Sequence, residues 1–290
     1  MLKADATGHL RRSRWDLIAI AMWFVPVSVL AVLAWIFAGV IVHGIDQLSW
    51  SFLTDAPRRS GRSGGIGPIL VSTSLILLVC LVAALPLAFG TAILLSEFAP
   101  RRSKAVRLVR LSLDALAGIP SIVFGMFGNA FFCIFLGLGF SILSGGLTLA
   151  CMVLPILIRT TEDSFRSIPN SYRMGGAALG LSKTRIITKI LLPMALPGIL
   201  VGTVLGTGRA LAETAALVFT SGYVDRMPTS LLDSGRSLSI HIFDLSMNIS
   251  GADAAAYRTA IVLIGLILLI NGGVGCLANL WKRWAGLSPS

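Results

Sequence analysis

The sequence carries little charge for its length. Only 13% of its 290 residues are Asp, Glu, Lys or Arg, whereas 55% are hydrophobic, and the mean hydropathy is +0.86. A soluble globular domain has about 25% charged residues, so this composition excludes that class. The few charges also leave long gaps, and a membrane helix needs about 20 apolar residues. The stretches without Asp, Glu, Lys or Arg are Leu17–Val42, Ile66–Ser96, Ala115–Ile158, Ile190–Gly208 and Thr259–Trp281.

Residues for metal, redox and nucleotide chemistry are also scarce. The sequence has three histidines and four cysteines, and the cysteines fall inside predicted spans without metal-ligand spacing. Lys183-Thr184 follows Ser182 rather than Gly, so the chain lacks a Gly-x4-Gly-Lys-[Ser/Thr] phosphate-binding loop. We therefore expect a chain that is not an enzyme and that binds neither a metal nor a cofactor of its own.

The uncharged stretches predict an all-α, polytopic membrane protein with six transmembrane helices. Ala115–Ile158 is long enough for two helices, with a turn at Gly137–Gly146. Pro120 should kink or break the first of them. Ile190–Tyr223 counts as one span although it contains Arg209 and Glu213.

The net charge of +11 is explained by topology. With a cytoplasmic N-terminus, the inside segments hold 17 Lys and Arg and the outside segments hold 6. This distribution follows the positive-inside rule, so we expect no nucleic-acid partner. The uncharged core of Leu17–Val42 is longer than that of a signal peptide, which favours an uncleaved first helix. We predict a bacterial cytoplasmic-membrane protein with both termini in the cytoplasm.

These features give a predicted domain organisation. Its parts are a cytoplasmic N-terminus (1–16), a first helix with an outside loop (17–65), a transmembrane domain (66–283) that includes a cytoplasmic helical segment (168–190), and a C-terminal tail (284–290).

The cytoplasmic segment between the fourth and fifth spans is basic and amphipathic. Leu179, Ile186, Ile187 and Ile190 can form one apolar face. An interfacial amphipathic helix is the alternative on composition alone. The spacing Gly180-x9-Ile190-x-Leu192-Pro193, however, resembles the motif of bacterial ABC-importer permeases. That resemblance implies a coupling helix that docks on an ATPase subunit through this segment.

The wider pattern resembles the phosphate ABC-transporter permeases of the PstA type. The matching pieces are GGIGPILVST (64–73), AGIPSIVFG (117–125), LPILIRTTEDSFRSIPNSYR (154–173), ALGLSKTRIITKILLPMALPGI (178–199) and GRALAETAALVFTSG (208–222). Met174-Gly175-Gly176 stands where the family motif has Glu-Ala-Ala, which leaves Arg173 as the adjacent charged residue for coupling. Ala216 replaces a proline that is common in the family.

The resemblance implies a heteromeric importer with type I ABC permease architecture. The implied partners are a second permease of the PstC type, an ATPase dimer of the PstB type that binds ATP and Mg, and an extracytoplasmic phosphate-binding protein of the PstS type. The chain itself would sit in the lipid bilayer and move phosphate by alternating access.

A substrate site is predicted in the fifth span. On a continuous helix, Arg209, Glu213 and a row of small residues share one face. An intramembrane charge costs at least about 2.5 kcal/mol, which indicates a function for it. Arg is suited to bind an oxyanion, and Glu could accept the proton-bearing hydroxyl of hydrogen phosphate. A structural ion pair between the two residues is the alternative.

Pro120 and Ser121 form a second candidate contact with the path, because a broken helix exposes backbone groups; a kink that serves packing is the alternative. Three other functions are compatible with the sequence. They are transport of another oxyanion such as sulfate or molybdate, a self-sufficient secondary transporter, and a membrane scaffold that transports nothing.

Overall fold

A computed structural model describes residues 6–45, 48–100 and 103–284, and their fold is almost entirely helical. The helices are α1 Ala6–Gly44, α2 Trp50–Thr54, α3 Gly67–Ile93, α4 Lys104–Ala117, α5 Ser121–Gly128, α6 Ile142–Arg166, α7 Asn170–Ala178, α8 Lys183–Ile186, α9 Leu192–Ala212, α10 Ala215–Val218, α11 Leu238–Met247 and α12 Asp253–Trp284. Segments of π-helix at Leu94–Phe98, Asn129–Phe135 and Ile187–Leu191 continue α3 and α5 and join α8 to α9.

Five helical segments in the described ranges are long and apolar enough to cross a membrane, and a broken helix supplies the sixth. The sixth consists of Lys104–Ala117 and Ser121–Phe135, which meet at an angle of 102°. Gly118 caps α4, and Pro120 stands at the N-cap position of α5 with φ −59° and ψ 142°. The predicted break at Pro120 is therefore confirmed, and so is the count of six spans when the bent pair is taken as one.

The core lies between α3 and α6. Small residues recur every four positions along α3, namely Cys80, Ala84, Ala88 and Ala92, and all four are buried. Leu149, Val153 and Leu157 of α6 belong to the same buried cluster. Small side chains at this spacing let two membrane helices approach closely, where van der Waals packing replaces the hydrophobic effect as the source of attraction.

Helix α9 packs against the other side of α6 through its glycines. A Cβ placed on Gly198 would lie 3.0 Å from Cβ of Ser164, and one placed on Gly206 would lie 3.1 Å from Cδ2 of Leu157. The predicted close approach along these glycines is therefore present. The two helices run antiparallel, since a later glycine of α9 meets an earlier residue of α6.

The fifth span does not continue to Tyr223 as predicted. Helix α9 ends at Ala212, Glu213 has an extended conformation (φ −74°, ψ 127°), and the short α10 follows. The Glu213 carbonyl accepts a hydrogen bond from Oγ of Ser239 in α11 at 2.6 Å. This tertiary contact supplies the carbonyl with a partner outside a helix.

A small cap is built from residues far apart in sequence. Strands β1 (Pro57–Arg58) and β2 (Ser63–Gly64) pair antiparallel, with Pro57 opposite Gly64. His241 of α11 is buried beside this hairpin, because a Cβ on Gly61 would lie 2.8 Å from its Cε1. Arg236 contacts the His241 ring (Nη1 to Nδ1, 3.3 Å) and the Asp244 carboxylate (3.1 Å).

Three helices extend beyond the uncharged stretches that predicted them. Helix α4 begins at Lys104, ahead of Ala115; α6 continues past Ile158 to Arg166; and α12 begins at Asp253, ahead of Thr259. The predicted division into domains stays a prediction, and residues 1–5 of its N-terminal part and 285–290 of its tail lie outside the described residues.

Candidate functional site

Arg209 lies in the last turn of α9 and faces an open cleft between α4, α6 and α9. The cleft has a volume of about 210 Å³, and Leu116, Ala117, Met152, Pro155, Ile156, Arg159, Thr160 and Arg209 line it. Arg209 is exposed, and within the described residues it takes part in no ion pair. Its guanidinium is therefore available to an anion in the cleft.

Among the described residues, Arg209 and Glu213 do not form the structural ion pair that was the alternative to a substrate site. The break after Ala212 takes Glu213 off the helical face on which Arg209 lies. One carboxylate oxygen of Glu213 instead accepts a hydrogen bond from the backbone N–H of Ala216 at 3.3 Å, at the start of α10. Glu213 thus caps a helix, and its carboxylate stabilises the positive end of that helix.

A second arginine shares the cleft with Arg209. Arg159 of α6 lines the same cavity, and its guanidinium pairs with the carboxylate of Asp114 in α4. Both side chains are roughly half exposed, at 43% and 57%. In the sequence, Arg159 is one of the 17 basic residues assigned to the cytoplasmic segments. Its spacing from Met152 and Pro155, seven and four residues, puts Arg159 on the same helical face as these two cleft residues.

A buried ion-pair cluster lies next to this pair. The Glu162 side chain is 7% exposed, and its Oε1 lies 2.9 Å from Nη2 of Arg110 and 2.7 Å from Nη2 of Arg166. Removing one partner of a buried ion pair leaves an uncompensated charge, which costs about 3–5 kcal/mol. This cluster therefore fixes α4 to α6 beside the cleft.

Pro120 and Ser121 are not among the residues that line the cleft. Pro120 is exposed and its carbonyl accepts the N–H of Val123 at 3.0 Å, so it starts α5. Ser121 is half-buried and is the first residue of that helix. The break instead brings Leu116 and Ala117, at the end of α4, to the cleft wall.

The basic segment 168–190 folds as α7, a turn and α8. Arg173 of α7 points back into the protein and binds Glu97 with two hydrogen bonds, from Nε at 3.1 Å and from Nη2 at 2.6 Å. It also donates to the carbonyls of Ile168 and Phe165, at 2.9 and 2.8 Å. Arg173 therefore holds α7 against the end of the second span.

Gly180 ends α7. Its φ of +72° lies in the left-handed region that favours glycine, and the N–H groups of Gly180 and Leu181 bond back to Ala177 and Gly176. Open space surrounds the position where a Cβ would lie. Gly180 thus allows the left-handed turn that ends α7. Because the residue is exposed, a partner protein can reach this turn.

The other motif residues shape the start of α9. Ile190 and Leu192 pack against the buried cluster that contains Phe165 and Ile187, and Pro193 is the second residue of α9, directly after the π-helix. The predicted apolar face of Leu179, Ile186, Ile187 and Ile190 is wrong as a single surface. Ile186 and Ile187 are buried, whereas Leu179 is 79% exposed.

The exposed apolar residues of this segment are Tyr172, Met174 and Leu179, with 45%, 61% and 79% of their surfaces accessible. All three belong to α7 or its C-cap. These three residues define the exposed apolar surface of α7, and the exposed basic residues Lys183 and Arg185 follow in α8.

Six spans, a cleft that presents two arginines, and an exposed helical element at one end of the bundle define a multi-pass membrane transport subunit. Comparison with known families makes this specific. The chain belongs to the family of binding-protein-dependent transport system inner membrane components, which matches residues 84–281. Members of this family are membrane subunits of ABC transporters and are not themselves enzymes.

Several curated relatives align with nearly the whole chain. The probable ABC transporter permease protein YqgI of Bacillus subtilis is 30% identical over 96% of this chain and 97% of its own length. Phosphate transport system permease protein PstC of Xylella fastidiosa is 30% identical, and PstA 2 of Mycobacterium bovis is 29% identical, each over 90% of this chain and 88% of the relative. The resemblance to phosphate permeases is therefore confirmed, with PstA and PstC relatives at the same level of identity.

Two solved structures share the fold. A chain of a bacterial ABC transporter for the acidic polysaccharide alginate superposes with a TM-score of 0.63 at 15% identity, covering 92% of this chain and 96% of that one. A chain of the inward-facing MetNI methionine ABC transporter gives 0.60 at 18% identity, covering 74% and 96%. The architecture is that of a type I ABC importer permease, as the sequence predicted.

Proposed function

We propose that this chain is a permease subunit that carries inorganic phosphate through an ATP-driven importer of the cytoplasmic membrane. The observation that supports this proposal is the pair of arginines in one cleft, Arg159 and Arg209. Arginine forms paired, charge-assisted hydrogen bonds to an oxyanion. The names of the PstA and PstC relatives favour phosphate over other oxyanions.

The substrate is tested by uptake into proteoliposomes that contain the whole transporter and its binding protein. Phosphate uptake should exceed sulfate and molybdate uptake under the same conditions. Preferential sulfate or molybdate uptake would mean that the chain belongs to an ATP-driven importer of another oxyanion. Uptake that persists without ATP or ATPase subunits would favour a secondary transporter.

Arg209→Gln tests the site, since it keeps hydrogen-bonding capacity and removes the charge. The variant should assemble and lose phosphate uptake, whereas Arg209→Lys should retain part of it. Because Glu213 caps α10 rather than pairing with Arg209, the loss of Arg209 leaves no buried carboxylate unpaired. Arg226→Gln, at an exposed position beyond α10, is the matched control and should transport normally. Normal uptake by Arg209→Gln would overturn the assignment.

The ATPase contact is assigned to the exposed surface of α7 and its C-cap. Leu179 is the most exposed apolar residue there, and an amphipathic helix commonly enters a partner groove through such a residue. Arg173 would support this contact by holding α7 in place. Leu179→Asp should release the ATPase during purification, whereas Leu232→Asp, also an exposed leucine, should not. Retention of the ATPase by Leu179→Asp would contradict the assignment.

The remaining partners follow from the family. A second permease would complete the path, an ATPase dimer would bind ATP and Mg, and an extracytoplasmic protein would deliver phosphate. This arrangement requires α7 and both termini to be cytoplasmic. Thr184→Cys should then be labelled from the cytoplasmic side, and Ser250→Cys from the outside, by a membrane-impermeant thiol reagent. The reverse pattern would exclude ATPase docking at α7.

A further inference from the structure

Two ion pairs connect α4 to α6. In one pair the cation lies on α4, and in the other the cation lies on α6. Arg110 and Asp114 lie four residues apart on α4, while Glu162 and Arg159 lie three residues apart on α6. Arg110 pairs with Glu162, and Asp114 pairs with Arg159. Each helix therefore contributes one cation and one anion, and the two pairs lie about one helical turn apart.

The two pairs differ in burial. The Glu162 carboxylate is 7% exposed and contacts two arginines, so its pairing is part of the packed structure. Asp114 and Arg159 are 57% and 43% exposed. An exposed ion pair contributes little to stability because water and salt compete with it. The Asp114–Arg159 pair is therefore the one that another anion can exchange.

The exchangeable pair lies at the cleft. Arg159 lines the cavity together with Arg209, and the cleft wall on the α4 side is formed by Leu116 and Ala117, two and three residues after Asp114. The carboxylate of Asp114 thus holds a guanidinium that an oxyanion in the cleft would need.

We propose that Asp114 is an internal competitor of the transported anion: it holds Arg159 while the cleft is empty and is displaced when phosphate binds. This inference rests on the proposed function. Displacement removes one of the two ties between α4 and α6, just before the break at Gly118–Pro120, while the Arg110–Glu162 tie remains. Binding of an anion in the cleft thereby frees the end of α4 from one of its contacts with α6. An anion that is too bulky or too weakly basic to displace the carboxylate binds the cleft less well.

The test is the phosphate dependence of uptake by the reconstituted transporter. Asp114→Asn keeps the side-chain shape and removes the competing charge, so the KM for phosphate should fall. The expected decrease is about two- to fivefold, which corresponds to a pair worth about 0.5–1 kcal/mol. Arg159→Gln should raise the KM, and adding Asp114→Asn to it should have no further effect. Asp163→Asn, an exposed acid-to-amide change on α6, is the control and should leave the KM unchanged.

Each other result decides against the proposal. A higher KM in Asp114→Asn would mean that the carboxylate itself binds the substrate, and an unchanged KM with reduced assembly would mean that it is only structural. A further fall in KM when Asp114→Asn is added to Arg159→Gln would show that Asp114 acts through another group. Failure of the proposed function looks different, because the wild-type transporter would then show no saturable phosphate uptake. A pair of spin labels at Arg107 and Asp163 provides a second measurement, since phosphate should change their distance in the wild type but not in Asp114→Asn.

Discussion

The contact between Arg173 and Glu97 offers a direct test of how α7 is attached to the membrane domain. Arg173→Met keeps an unbranched, flexible side chain and removes its charge and its hydrogen-bond donors. The change leaves the Glu97 carboxylate, 6% exposed, without its cation, and it leaves the carbonyls of Ile168 and Phe165 without their donor. We expect α7 to detach more often from the end of the second span.

The size of the effect follows from the burial of the pair. Removing one partner of a buried ion pair costs about 3–5 kcal/mol. The Arg173 side chain is 24% exposed, so water can partly replace it and the lower end of that range applies, about 3 kcal/mol. Since 1.4 kcal/mol is a factor of ten, the open population of α7 should rise on the order of 100-fold. Glu97→Gln retains an acceptor and should have an effect of about tenfold.

Hydrogen–deuterium exchange of the peptide 170–178 in the purified transporter measures this opening equilibrium. Arg185→Met is the control, because it removes an exposed cation of the neighbouring helix that forms no ion pair within the described ranges. It should change the exchange of α7 by no more than about twofold. If exchange in Arg173→Met matches that of Arg185→Met, the ion pair does not hold α7, and the reasoning about its burial is wrong.

Three further changes probe the fold. Gly125→Ala should lower stability by about 1–3 kcal/mol, because the new Cβ would lie 2.9 Å from Cα of Ala216. Gly90→Ala, whose Cβ would lie in open space, should leave stability unchanged. Thermal unfolding in detergent compares the two variants. Gly180→Ala should weaken the end of α7 by about 1 kcal/mol because of the positive φ, and Gly180→Asn by less, as measured by exchange of the same peptide. Burial lowers the pKa of His241 to about 4; the Arg236 cation lowers it further, and the Asp244 carboxylate opposes the shift. Between about pH 6.5 and 4 the unfolded state therefore binds more protons than the folded state. Stability should therefore fall by about 3 kcal/mol as pH drops through that window, and a pH series of melting curves in which His241→Gln shows the same slope would contradict this origin.

Local sequence patterns predicted the parts of the structure that local physics determines. The uncharged stretches placed the spans, because insertion into a bilayer depends on the summed polarity of about 20 residues. Pro120 predicted the broken helix, because proline lacks a backbone donor, although Pro86, Pro155 and Pro197 stand inside continuous helices. The glycines of α9 predicted a close approach to another helix, although the sequence did not identify that helix as α6.

Contacts between distant residues were not predictable in the same way. Glu213 leaves the helix partly because Ser239, 26 residues later, bonds its carbonyl, and no periodicity in 198–220 contains that information. Arg173 was expected to face a partner, but Glu97, 76 residues earlier, turns it inward. Asp114 and Arg159 looked like unrelated charges until the fold placed α4 beside α6. The positions of Arg173, Asp114 and Arg159 are therefore explained by tertiary ion pairs, which the topology of the spans does not specify.

The attachment of α1 has a consequence for biosynthesis. Most described side chains of this helix are exposed, and the helix packs chiefly on α12, where the ring of His43 stacks on Tyr257 at 5.2 Å. The two rings are separated by 214 residues (257 minus 43), which take about 10–40 s to synthesise at about 5–20 residues per second. For that time α1 sits in the bilayer without its neighbour, anchored by its own hydrophobicity. In nascent chains that stall before α12, the first helix therefore lacks the neighbour on which it packs in the finished fold.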